Sequence, residues 1–289
     1  MGGVKIKTNN EIQAKGPTLD EATFHNLRRR ITNASGIHVT ADENSRFLLE
    51  RRLASRLRIH GVTSFSEYES ILDEKELDAM LDVVAVHETY FFREKRQLKV
   101  FSDHIIPELA LLSRPIKIWS AGCSTGEEAY TIAMLMAEQG HVGEVRSQVI
   151  ASDLSNRVIE SGLRGVYGAS SFRTTEPHFR EKYFTQMEQS SWRASDLLRS
   201  SIRFEQANLM GISSQMKEAA SPADGGFDVI FCRNVLMYFD EAAVKKTLKA
   251  IHPLLREGGY LLLGHAESLL PIGLGYKPVQ IGRELVHRK

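Results

Sequence analysis

The sequence predicts an α/β chain whose mostly parallel sheet is covered by helices and preceded by an all-helical stretch, on three observations. From Ile116 onward, short apolar strand signals alternate with helix-length segments, the pattern of a sheet flanked on both faces. From Thr18 to about Glu88, apolar residues recur only at helical spacing. The segment Ile116-Lys-Ile-Trp-Ser-Ala-Gly-Cys-Ser-Thr-Gly126 runs from an apolar strand through a small-residue turn into a helix, and Asp153 ends the next strand. That is the outline of a nucleotide-binding βαβ unit.

In chain order, residues 1–17 are polar, end in Gly16-Pro17 and read as a flexible arm. Residues 18–88 form the helical N-terminal domain, with breaks at Asn33-Ala-Ser-Gly36 and at His60-Gly61. In the helix after Asp42, Leu49, Leu53 and Leu57 make an apolar stripe while Arg52 and Arg56 share another face. Residues 89–115 are a linker with a helix over Arg96–Leu112, and 116–289 form the α/β domain. Its strands are predicted near Ile116–Ser120, Val149–Asp153, Ile202–Ala207, Phe227–Cys232 and Tyr260–Gly264, with a weaker candidate at Glu284–His287. The helix Glu241–Leu255 is expected to end at Gly258-Gly259. The interval between Asp153 and Ile202 is longer than one crossover helix requires. A helix over Asn156–Leu163 is therefore followed by an insertion, about 164–199, in which Phe172, Phe179, Tyr183, Phe184 and Trp192 need burial.

Lys plus Arg number 37 and Asp plus Glu 36 among 289 residues, so no overall charge draws the chain to nucleic acid or to a membrane. Arg51, Arg52, Arg56 and Arg58 still mark a local basic surface. Cys123 and Cys232 stand far apart without a partner motif for zinc and read as buried free thiols in a reducing compartment. With neither an apolar leader nor a bilayer-length run, the sequence reads as a soluble cytoplasmic protein.

The first turn of the helix after the glycine turn separates the candidate ligands. Gly122 and Gly126 let the backbone bend and a ligand approach, and Ser124 or Thr125 can cap the helix. A dinucleotide would place its pyrophosphate at that helix N-terminus, where Glu127 and Glu128 repel it. S-adenosylmethionine carries a sulfonium and an ammonium and no phosphate, so an acidic first turn suits it. Asp153 can accept hydrogen bonds from ribose hydroxyls. The alternatives are a plain strand–helix turn, a nicotinamide-dependent oxidoreductase, and a non-catalytic or other-substrate homologue that binds S-adenosylmethionine.

Three motifs, Glu88-Thr-Tyr-Phe-Phe-Arg-Glu94, Ser120-Ala-Gly-Cys-Ser-Thr-Gly-Glu-Glu128, and Phe231-Cys-Arg-Asn-Val-Leu-Met-Tyr-Phe-Asp240 followed by Gly264-His-Ala-Glu-Ser268, closely resemble the CheR-type chemotaxis-receptor methyltransferases. The resemblance runs from about Leu19 to the end and covers the order of the parts. It implies a Rossmann-like methyltransferase domain with an all-α N-terminal domain and a small inserted β-subdomain. It further implies S-adenosylmethionine as cofactor, S-adenosylhomocysteine as product, no metal, and methyl transfer to receptor glutamates. By matching position, Thr89 and Arg93 face the cofactor, with Arg93 near its carboxylate. Gly122 belongs to the cofactor-binding turn, Glu127 or Glu128 meets the methionine end, Asp153 the ribose, and Asn208 and Leu209 border the adenine. Arg233 and Asn234 line the site, and Tyr238 sits beside the methyl group. His87 stands where the family often has Asn, which removes the basis for a side-chain contact there. Phe91 and Phe92 read as interdomain packing. Receptor methylation sites in this family lie on acidic helices, which makes Arg51, Arg52, Arg56 and Arg58 a docking face. Some family members capture a receptor C-terminal pentapeptide on the inserted subdomain through a glycine-containing hairpin. The stretch Thr185-Gln-Met-Glu-Gln-Ser-Ser-Trp-Arg-Ala194 has no glycine, so a positive-φ turn is expected to be harder and the pentapeptide tether not to be required.

Overall fold

A computed structural model of the chain describes residues 17–112, 114–142, 147–188, 190–220, 225–267 and 274–289. The arm expected at 1–17 lies, apart from Pro17, outside the described residues. The described residues divide into two compact units: one comprises the residues up to Arg29 together with Thr40–Val84, the other Arg30–Val39 and the residues from Ala85 on.

The helical part contains α1 (Glu21–Ser35), α2 (Glu43–His60), α3 (Phe65–Ser70) and α4 (Glu74–Val84). Their starts follow from short polar side chains that satisfy otherwise unpaired amides. Asp42 accepts from the Ser45 amide at 2.8 Å, Ser64 from Glu67 at 3.2 Å, and Asp73 from Glu76 at 2.7 Å. Gly61 closes α2 in the left-handed region at φ 66°. Leu49, Leu53 and Leu57 are buried with Phe65, Tyr68, Met80 and Leu81.

A polar knot also holds α2, α3 and α4. The Glu76 carboxylate, buried between helices, accepts two bonds from Arg56 (2.8 and 2.5 Å), one from Tyr68 Oη (2.6 Å) and contacts His60 Nε2 at 2.7 Å. Arg52 donates to the carbonyl of Val84. The Arg56 guanidinium is thus taken up by the domain's own interior, whereas Arg52, although bonded to Val84 O, is exposed like Arg51 and Arg58.

The second unit continues with α5 (Lys95–Val100) and α6 (Ile106–Ala110), which form one helical run through a π-turn at Phe101–Ile105. After β1 (Ile116–Ala121) come α7 (Glu127–Glu138), β2 (Ser147–Asp153) and α8 (Asn156–Arg164). The insertion holds β3 (Val166–Gly168), α9 (Pro177–Tyr183), β4 (Phe184–Gln186), β5 (Ser191–Ala194) and α10 (Asp196–Ser200). The remaining elements are β6 (Ile202–Gln206), α11 (Ser214–Ala219), β7 (Phe227–Cys232), α12 (Glu241–Ile251), β8 (Leu255–Leu263), β9 (Lys277–Ile281) and β10 (Glu284–Arg288). The main sheet has the order β6-β2-β1-β7-β8-β10-β9. β6, β2, β1, β7 and β8 run parallel, and β10 pairs antiparallel with β8 and β9.

Several boundaries differ from the sequence expectation. α12 stops at Ile251, because Pro253 lies in a short 3-10 turn, and β8 begins at Leu255. Gly258, at φ 75°, therefore lies within a strand and does not cap a helix. β9, which carries Pro278 at the sheet edge, gave no strand signal in the sequence. In the insertion, β5 is central in an antiparallel sheet of order β3-β5-β4. Phe91 stacks on Phe172 (4.7 Å) and meets Tyr167 and Phe184 edge-on, while Phe92 lies 4.4 Å from Phe179. The linker phenylalanines thus pack into the insertion's aromatic cluster, which is the burial its aromatics required. The hairpin between β4 and β5 forms without glycine, since Ser190 itself adopts φ 74° and Met187 N donates to Ser191 O at 2.8 Å. The expectation that a glycine-free loop would resist such a turn is corrected at Ser190.

Burial alone would raise the Glu76 carboxyl, but the bonds from Arg56, Tyr68 and His60 outweigh it and bring its pKa from 4.5 to about 2. A carboxyl depressed in the folded state stabilises fully above its unfolded pKa and ceases to as pH falls through the folded value. Glu76→Gln is therefore expected to destabilise α2 and α4 by on the order of 3 kcal/mol at pH 7, measured as faster amide hydrogen exchange in the full chain. The gap from wild type should narrow between pH 4.5 and about 2; an equal gap at every pH contradicts the ion-pair account.

Candidate active site

The site is built at the carboxyl ends of β1 and β7, where the strand order reverses direction from the centre of the sheet. Open α/β sheets form their ligand crevice at such a switch point. β1 leaves the sheet at Ala121, and Gly122 turns at φ 79°. A Cβ there would stand 2.3 Å from Val235 Cγ2 in the loop after β7, so only glycine fits this close approach. The Gly122 and Cys123 amides donate to Ser152 O at 2.8 and 2.9 Å, which fastens the turn to the end of β2.

Asp153 secures the same turn through its side chain, accepting from Ser124 N at 2.8 Å and Ser155 N at 3.0 Å. Burial raises its pKa despite these two donors. Neither Ser124 nor Thr125 caps α7. The Ser124 hydroxyl donates to His87 O, two residues before the linker, at 3.0 Å, the Thr125 hydroxyl donates to Glu127 at 2.6 Å, and the helix starts at Gly126 with φ 98°.

The two acids of the first turn of α7 face different partners. Glu127 is buried and accepts from Ser171 Oγ at 2.9 Å as well as from Thr125, joining α7 to the insertion. Glu128 accepts from Ser120 Oγ at 2.6 Å and from Arg233 Nη1 at 3.1 Å. Burial raises both carboxyls, most directly because few water molecules can solvate their charged forms.

Arg233, with a side chain only 2% exposed, is the hub. It reaches Glu128 after β1, and Glu94 Oε2 (3.2 Å) and Arg93 O (2.6 Å) in the linker. Glu94 also accepts from Asn234 Nδ2 at 2.9 Å and His265 N at 3.2 Å. Burial would raise the Glu94 carboxyl, but Arg233, Asn234 and the His265 amide prevail and hold it below the ordinary range. Sequence reading did not single out Glu94, although it closes the linker motif directly after Arg93 and adopts φ 58° just before α5.

The remaining predicted residues are distributed around this hub. Thr89 is half-buried in the linker. Arg93 donates from Nη1 to Glu88 O at 2.8 Å and lies 5.9 Å from the Tyr90 ring, so its side chain is occupied near the surface. Asn208 donates to Ala34 O at 2.7 Å and caps Met210 N at 2.9 Å, while Leu209 is buried in the core beside Trp119 and Ile150. Asn234 adopts φ 59°, and Tyr238 is half-buried in the 3-10 turn Leu236–Tyr238, its carbonyl accepting from His38 N at 2.7 Å.

An acidic, phosphate-repelling helix start, a turn that only glycine can make, and a carboxylate at the end of β2 together suit an adenosine ligand with a cationic tail. The comparisons with known proteins agree. Residues 87–279 match the family profile described as CheR methyltransferase, SAM binding domain, and residues 22–85 match CheR methyltransferase, all-alpha domain. A chemotaxis protein methyltransferase of Borreliella burgdorferi is 32% identical over 84% of this chain and 87% of its own length. Chemotaxis protein methyltransferase 2 of Vibrio cholerae is 34% identical over 78% and 80%, and the chemotaxis protein methyltransferase of Escherichia coli 33% over 86% and 85%. The chain belongs to the CheR methyltransferase family. It is an S-adenosylmethionine-dependent methyltransferase, and among the described residues no helix is long and apolar enough to cross a membrane.

Asp153→Ala removes the acceptor of two turn amides and leaves them unpaired in a buried place. Affinity for S-adenosylmethionine is expected to fall by ~1–3 kcal/mol. Calorimetry on a folded variant checks this, and unchanged affinity would remove Asp153 from the cofactor site.

Proposed function

We propose that this protein transfers the methyl group of S-adenosylmethionine to glutamate side chains of chemoreceptors, forming the glutamate methyl esters used in chemosensory adaptation. The observation that carries the reading is the Arg233 hub, which joins the linker, the first turn of α7 and the loop after β7 through two carboxylates. The relatives named above are chemotaxis protein methyltransferases, which agrees with a chemoreceptor substrate.

When bound, S-adenosylmethionine supplies an activated methyl group. The receptor glutamate is ionised near neutral pH and is itself the nucleophile, so no enzymic base is needed. The chain's task is positioning and electrostatic preorganisation. In this reading, Gly122, Glu128 and Asp153 hold the cofactor with Thr89, Asn208 and Leu209, and Glu127 fixes the helix that presents Glu128. Arg233 and Asn234 line the site, while Arg93 faces the carboxylate of the cofactor and Tyr238 the methyl group to be transferred.

For recognition of the acidic helical region of the receptor, the exposed Arg51 and Arg58 are the available charges of the basic face, joined by the outer edge of Arg52. Arg56 belongs to the Glu76 knot and supports the face from behind. A second route to the substrate is favoured by one observation. β4 is an edge strand beside a cavity of about 700 Å³ lined by Val166, Met187, Arg193 and Asp196, a surface open to an added strand. Titration of the full chain with a receptor C-terminal pentapeptide decides between the routes. Saturable micromolar binding favours the edge, and its absence the helical face alone.

Arg51→Glu combined with Arg58→Glu is expected to lower receptor methylation several-fold at low ionic strength with unchanged cofactor affinity, because surface attraction of this kind is screened by salt. An original rate at low salt would dismiss the docking face. For the reaction itself, incubation with radiolabelled S-adenosylmethionine and membranes carrying chemoreceptors should yield receptor label that mild base releases, as for a glutamate methyl ester. Label stable to base, or none on the receptors, would contradict the proposal.

A further inference from the structure

Glu267, four residues past β8, is 1% exposed, and its carboxylate makes bonds that the reading above does not use. Oε2 accepts from Gly264 N at 2.7 Å and Asn234 N at 2.8 Å, and Oε1 accepts from Met237 N at 3.0 Å. Its own amide donates to Gly264 O at 2.8 Å, closing the turn that aims the side chain. A Cβ on residue 264 would stand 2.7 Å from both Asn234 Nδ2 and Glu267 Oε2, so the glycine admits this approach.

The two bonds across to the loop after β7 bracket its functional part. One is made to Asn234, held at φ 59°. The other is made to Met237, inside the 3-10 turn that carries Tyr238. A carboxylate accepting three amide donors forms charge-assisted bonds, stronger than neutral ones, and none of these three donors is a side chain. Fixing a backbone at an outlying conformation next to a site is how preorganisation is stored.

The geometry points to Glu267 as a positioning residue for methyl transfer: it clamps the Asn234–Tyr238 loop to the end of β8 and thereby sets the place of the Tyr238 hydroxyl. This rests on the methyltransferase reading for its kinetic consequence but not for the clamp itself. Glu267→Gln turns one acceptor into a donor facing amide donors, and Glu267→Asp keeps the charge but shortens the reach by one methylene.

The experiment has two arms, both on the full chain. Amide hydrogen exchange over residues 234–238 needs no substrate and should accelerate about tenfold or more in both variants, with α7 and β1 unchanged. Steady-state methylation should show kcat lower by about 10- to 100-fold, with the KM for S-adenosylmethionine within about threefold. In a Tyr238→Phe background the same substitutions should cost little more, since they act through that hydroxyl. Wild-type exchange over residues 234–238, or the same fractional kcat loss with and without Tyr238, overturns the inference. If Glu267→Gln does not fold, Glu267→Asp carries both readouts. Absence of methylation by wild type would count against the functional reading alone, and the exchange arm would still decide the clamp.

Discussion

A buried guanidinium shared by two carboxylates organises this molecule's catalytic unit. Arg233 projects from the end of β7, Glu128 from the first turn of α7, and Glu94 from the linker before α5. Removing one partner of such a buried pair leaves an uncompensated charge and costs ~3–5 kcal/mol. The three segments are therefore bound to one arrangement. Two carboxylates for one guanidinium also keep the cluster anionic, which favours a cationic ligand and disfavours a pyrophosphate.

The other constraints refine this arrangement. Gly122 lets Val235 approach, so the glycine turn and the loop after β7 touch directly. Asp153 and Ser152 draw the turn onto the end of β2. On the far side of α7, Glu127 and Tyr167 Oη bind Ser171 and the Thr125 carbonyl, so the inserted subdomain braces the helix start. The linker aromatics Phe91 and Phe92 complete that brace by packing into the insertion. The sequence leaves the insertion open to packing or docking, and its bonds to the start of α7 give it a packing role.

Much of this was legible in the sequence because it follows from local chemistry. Strand–helix alternation, the buried stripe Leu49, Leu53 and Leu57, and the glycine turn announce themselves through periodicity and residue type. What stayed hidden depends on partners distant in the chain. Nothing near Arg56 says that Glu76, twenty residues on, will absorb its charge. Glu127 and Glu128 are adjacent and chemically identical, and only the fold sends one to Ser171 and the other to Arg233. Glu94 was quoted within a motif but not given a role, since its partners at 233, 234 and 265 are brought to it by the sheet. At Ser190 the local rule failed because the pairing of β4 and β5 imposes a left-handed residue where no glycine is present.

The acidic cluster organised by Arg233 is expected to select a phosphate-free cationic nucleoside. The most direct test is a pair of calorimetric titrations of the full chain, with S-adenosylmethionine and with NAD, in the same buffer. Saturable binding of S-adenosylmethionine at one site per chain with no heat from NAD is the predicted result. Comparable binding of NAD, or competition between the two, would contradict it.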